Sequence, residues 1–85
     1  MNNDVKQAYI ANILSSNKYE ENMIIAKKEF DKGNYEWATS YYTYALKQRQ
    51  NSDEAYYERA RTKLKLNDYQ GAKTDLDTAI KLNPN

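Results

Sequence analysis

Sliding the chain against itself by 34 residues brings Glu20 onto Glu54, Ala26 onto Ala60, Tyr35 onto Tyr69, Ala38 onto Ala72, Ala45 onto Ala79 and Lys47 onto Lys81. Similar residues add Lys27 with Arg61, Phe30 with Leu64, Asn34 with Asp68, Tyr42 with Leu76, and Leu46 with Ile80. A period of this length marks a chain assembled from stacked copies of one small supersecondary unit. The residue types say which unit. Ala26 and Ala60 suit the middle of a helix where an antiparallel neighbour comes so close that only a small side chain fits. Ala38 and Ala45, like Ala72 and Ala79, are two turns apart on one helix face. Tyr42 and Leu76 stand between them as the large groups that fill the remaining space.

The interruptions of this pattern are in step as well. Asp31-Lys32-Gly33-Asn34 and Leu66-Asn67-Asp68 break the apolar periodicity at equivalent places. Gly33 and Asn67 are residue types that tolerate a left-handed helix terminus, and Asn34 and Asp68 are suited to cap the helix that follows. Asn51-Ser52-Asp53 separates the two copies, with Ser52 or Asp53 as cap and Glu54 in the favourable first turn. Pro84 cannot extend the last helix, which is expected to stop near Leu82 or Asn83.

Composition narrows what such a chain does. Its 85 residues fit one small domain with a thin margin of stability. With no cysteine there is neither a disulfide framework nor a thiolate metal site, and with no histidine the commonest general base and metal ligand is missing. Thirteen basic and twelve acidic residues give a net charge of +1, so no bulk attraction to nucleic acid or anionic membrane is expected. Nine tyrosines and one tryptophan are expected to supply much of the packing bulk. No apolar run approaches the ~20 residues of a bilayer span, and the polar opening with Asp4 is unlike a signal peptide. A cytoplasmic setting is the expectation.

The segment Ala55 to Pro84, AYYERARTKLKLNDYQGAKTDLDTAIKLNP, resembles a tetratricopeptide repeat. Tyr56 stands where that family prefers tryptophan, and Ala60, Tyr69, Ala72, Leu76, Ala79 and Pro84 follow in register. Tyr19 to Ser52 is a looser copy that keeps Ala26, Gly33, Tyr35, Ala38, Tyr42 and Ala45. It departs at Asn22, an aromatic position, and at Gln50, a proline position. The resemblance implies an all-α solenoid of two antiparallel hairpins, residues 19–52 and 53–85, while residues 1–18 fit the repeat poorly and read from their own pattern as a further helix over roughly residues 4–15. That makes five helices. The N-terminal one has an apolar stripe of Val5, Ala8, Tyr9, Ile13 and Leu14, a cap at Asn3 or Asp4, and an end at Ser15-Ser16-Asn17. It is expected to cover the open end of the first hairpin or to contact another chain.

Chemistry is sparse. Gly33 and Gly71 stand alone, so no glycine-rich loop cradles phosphate. Asp75 with Asp77, and Glu20 with Glu21, are too close in sequence to face each other on a helix and are expected to be solvated. No catalytic residue, metal or cofactor is expected. The tyrosines 41, 42 and 44 invite stacking on single-stranded nucleic acid, but only Lys47 and Arg49 accompany them, and Tyr42 is expected in the core.

The resemblance implies instead a concave face made by the first helix of each hairpin. By position its lining is Met23, Lys27, Phe30 and Asp31, then Tyr57, Arg61, Leu64 and Lys65, with Glu20, Glu54 and Glu58 at the edges. Phe30 and Leu64 are expected to be partly in the core. Lys27, Arg61 and Lys65 admit two readings: a solvated face with Glu58 nearby, or a seat for an acidic group of a peptide. Some family members hold a C-terminal aspartate in a lysine–asparagine clamp. Here Met23, Lys27 and Glu58 occupy clamp positions, so that ligand is not expected. The function expected is a non-catalytic module binding a protein or peptide, alone or within a larger scaffold. The alternative is a self-assembly unit that stacks through uncapped helical ends into a homo-oligomer.

Overall fold

The computed structural model describes residues 3–85 as helices joined by short turns, with no strand among them. The elements are α1 (Asn3–Asp31), α2 (Tyr35–Gln48), α3 (Asp53–Lys65) and α4 (Tyr69–Leu82). Helix α1 packs on α2, α2 on α3, and α3 on α4, so two hairpins stack side by side into an elongated body of 51 × 29 × 18 Å. The ends of α1 and α3, the starts of α2 and α4, and the ends of α2 and α4 are each 34 residues apart. The sequence period is therefore the structural period.

The alanines do what their spacing requires. Ala26, Ala38, Ala45, Ala55 and Ala60 are completely buried, and Ala72 and Ala79 nearly so. Ala26 and Ala38 form one cluster with Tyr42, against which Met23, Phe30 and Tyr41 pack. Tyr19, Ala45, Leu46 and Ala55 form a second, joined by Met23 and Tyr56. The tyrosines contribute less bulk than composition suggests. Only Tyr19 and Tyr42 are buried, whereas Tyr9, Tyr44, Tyr57 and Tyr69 are exposed. Helices brought into contact through alanines leave little interior volume for rings, so the rings go to the rims.

Both hairpin turns are the same motif. In the first, Gly33 N–H donates to Phe30 C=O at 2.9 Å and Asn34 N–H to Glu29 C=O at 2.8 Å. In the second, Asn67 donates to Leu64 at 3.1 Å and Asp68 to Lys63 at 2.9 Å. These paired bonds close a Schellman terminus, and Gly33 (φ 81°) and Asn67 (φ 62°) are its left-handed residues, as their types predict. Asp68 accepts from Gly71 N–H and Ser52 from Ala55 N–H, both at 3.0 Å, so each caps its helix. Asn34 departs from expectation. It holds the cap position of α2, but its side chain donates backwards to Glu29 Oε2 at 2.9 Å instead of accepting from the new helix. Helix α4 ends at Leu82, two residues before Pro84.

The N-terminal segment needs a correction. Both helical stretches foreseen on either side of Ser15-Ser16-Asn17 form, but they run together as the 29-residue α1. Serine and asparagine cost only a fraction of a kcal/mol each inside a helix, roughly 0.5. Without glycine or proline nothing stops propagation. The expected caps, Asn3 and Asp4, lie inside the helix, and what precedes them is outside the described residues. Val5, Tyr9, Ile10 and Ile13 are each about half exposed or more, so they do not form a closed cover on the first hairpin. The side chain of Leu14, another member of that stripe, is outside those described.

Candidate functional site

Because α1 and α3 are the first helices of their hairpins, stacking sets them side by side with α2 behind. A groove of about 460 Å³ lies along them. Its α1 wall carries Glu20, Met23, Ile24, Lys27, Phe30 and Asp31, its α3 wall Glu54, Glu58 and Arg61, and Tyr42 of α2 reaches its floor. Met23, Lys27, Phe30, Asp31 and Arg61, five of the eight lining residues expected from sequence, are thus brought together with the three edge glutamates. Tyr57, Leu64 and Lys65 are not. Tyr57 lines a separate hollow of about 350 Å³ with Leu76, Ala79 and Ile80. Leu64, foreseen as partly core, is 44 % exposed, and Lys65 is exposed as well.

Electrostatically the groove differs from the basic seat considered above. Arg61 Nη1 donates to Glu58 Oε2 at 2.8 Å, and its guanidinium stacks over Phe30 at 5.1 Å. Its charge is matched and its plane is occupied. Glu20, Asp31 and Glu54 have no ion-pair partner among the described residues, and neither does Lys27. Four carboxylates against two cations leave the lining with a charge of −2. Lys27, Arg61 and Lys65 therefore do not form a positive seat. Burial pushes the Tyr42 hydroxyl up to about 12, with the Glu58 charge acting the same way.

A second polar constellation escaped sequence reasoning. Asp75, foreseen as solvated beside Asp77, is 3 % exposed. Arg59 grips it with two bonds, Nε to Oδ2 at 2.8 Å and Nη2 to Oδ1 at 2.7 Å, and Lys63 Nζ adds a third contact at 3.0 Å. Arg59 Nη1 also donates to Thr43 Oγ1 at 3.1 Å, so the cluster ties α2, α3 and α4 together. Burial alone would raise the Asp75 carboxyl. The hydrogen bonds and charges of Arg59 and Lys63 outweigh it and hold the group below its usual range. Asp77 does stay exposed, paired with Lys73. Similarly unforeseen is Tyr19, whose hydroxyl is hydrogen-bonded to Ser52 Oγ at 2.7 Å while Arg49 stacks on its ring at 4.0 Å. These partners are distant in sequence, and no local pattern announces them.

The α3–α4 hairpin joins the 34-residue period, the small-residue contacts and the proline stop in one unit. Residues 53–85 match the tetratricopeptide repeat family. This hairpin is similar to a tetratricopeptide repeat. Repeats of this family generally mediate protein–protein interactions and are typically non-catalytic. No curated protein gives a significant match to the chain. In the repeat, Ala60, Ala72 and Ala79 are the buried small positions, Tyr56 is half-buried, and Tyr69 is exposed, its hydroxyl donating to Asn67 Oδ1 at 3.1 Å. No helix among the described residues is long and apolar enough to cross a membrane.

Proposed function

We propose that the chain is a non-catalytic interaction module, in a cytoplasmic setting, that takes a peptide or protein segment in the groove between α1 and α3. The tetratricopeptide architecture extends on this reading to residues 19–52, so that two repeats build the face together. One observation carries the proposal: the groove has an apolar base of Met23, Phe30 and Tyr42 with charged rims, and no segment of the described chain fills it. Such a combination suits a segment whose apolar side chains dock while its polar groups meet the rims. Lys27→Trp tests it by filling the groove from an exposed position. Helicity is expected to survive and partner capture to fall at least tenfold. Capture at wild-type strength by a folded Lys27→Trp chain would contradict the proposal.

A second reading, stacking of copies end to end, is favoured by a different observation. Tyr9, Ile10 and Ile13 at one end and Tyr57 and Ile80 at the other are exposed, and the latter two line an apolar hollow with Leu76 and Ala79. On this reading sedimentation mass rises with concentration, and Ile80→Glu restores the monomer. A concentration-independent monomer rejects it.

A further inference from the structure

The residues around Tyr42 say what chemistry suits the groove. Tyr42 is 2 % exposed, yet its side chain lines the groove floor. Its hydroxyl makes no hydrogen bond within the protein among the described residues, while no sealed side-chain oxygen or nitrogen there lacks a partner. The hydroxyl is therefore not sealed in the core, and the side chain that carries it lines the groove. Asp31, Glu54 and Glu58 line the same groove as this unpartnered oxygen, and their charges act on it against that of Arg61. Arg61, a cation on the same lining, is already committed to Glu58 and Phe30.

Resting on the reading of the groove as a peptide site, we propose that it is specific for a segment of a protein partner carrying a lysine or arginine beside an apolar side chain. The cationic head lies over Tyr42, whose hydroxyl accepts a hydrogen bond, with Glu54 and Asp31 as counter-charges. The apolar neighbour rests on Met23 and Phe30. Several features fit together here. An ammonium or guanidinium is the group that can satisfy a hydroxyl acceptor and two unpaired carboxylates at once. The excess of negative charge on the walls steers cations in and repels acidic segments. Lys27, exposed and unpaired on the α1 wall, is free to swing away from an incoming cation.

The test uses the whole chain and three pools of fluorescent octapeptides with identical apolar content. Their variable positions hold Lys and Arg, Gln and Asn, or Glu and Asp. Anisotropy gives affinity, and amide chemical shifts of the labelled chain give location. The basic pool is expected to bind at least tenfold tighter than the neutral one, to weaken with salt, and to shift amides of residues 27, 42, 54 and 58. Tyr42→Phe and Glu54→Gln, both of which keep side-chain shape, are each expected to weaken the basic pool several-fold without changing the neutral pool. Equal or tighter groove binding by the neutral or acidic pool would overturn the charge preference and leave the peptide site standing. Shifts confined to other surfaces, or no groove shift with any pool, would overturn both.

Discussion

Asp75 concentrates more of the fold's electrostatics than any other residue described. A buried carboxylate is costly unless fully paired, and here three donated contacts from Arg59 and Lys63 do the pairing. Removing the charge leaves two cations side by side on α3, one turn apart, with no counter-charge from α4. Asp75→Asn is expected to cost about 3 kcal/mol, near the low end for a broken buried pair because Arg59 and Lys63 keep some contact with water. Urea denaturation checks it, and a change below ~1 kcal/mol would mean the cluster is incidental. The same group sets the acid limb. Its folded carboxyl titrates lower than in the unfolded chain, so its stabilisation is complete above the ordinary aspartate range and is lost as pH falls through the lowered folded value. Tyr42 sets the alkaline limb with the opposite sign. Its folded hydroxyl titrates near 12 instead of 10, so that stabilisation is complete below pH 10 and declines as pH rises towards 12. Unfolding midpoints followed across pH should fall at both ends, and Tyr42→Phe should flatten the alkaline fall.

Among the elements, the turns were legible and the long helix was not. A left-handed residue after a helix is a local demand on one backbone position, and Gly33 and Asn67 declare it by type. Gly33→Ala meets no neighbour within 4 Å, so its cost is purely conformational, about 1 kcal/mol. Asn67→Gly at the equivalent site should be neutral or stabilising by a few tenths of a kcal/mol, roughly, since asparagine already tolerates the conformation. Opposite signs in paired thermal melts would show that one motif closes both hairpins. By contrast, Ser15-Ser16-Asn17 looks like a stop only to a reader counting polar residues. The helix continues because nothing in those residues opposes its hydrogen bonds strongly. Within α1 the first buried side chain described is Tyr19. Deleting residues 1–17 is therefore expected to lower the ellipticity at 222 nm while leaving the urea midpoint nearly unchanged. A large fall in midpoint would mean that this half of α1 is packed.

Taken as a whole molecule, the stacked alanines fix how close the helices come, and that closeness fixes where a groove can exist. Its position was readable because period and face repeat together: Met23, Lys27 and Asp31 share a face of α1 with Arg61 opposite on α3. Its charge was not, because the balance depends on who pairs with whom. The sequence leaves Arg61 open between a solvated face with Glu58 nearby and a seat for an acidic group, and in the fold Glu58, three residues back on α3, pairs with it. Likewise Asp75 and Arg59 are sixteen residues apart on different helices, beyond any local pattern. The central claim is that this concave face is where a partner binds. Photocrosslinking tests it directly, with benzoylphenylalanine placed at Ile24 on the groove wall or at Trp37 outside it. The account predicts a partner adduct from position 24 and none from position 37, and adducts from 37 alone would contradict it.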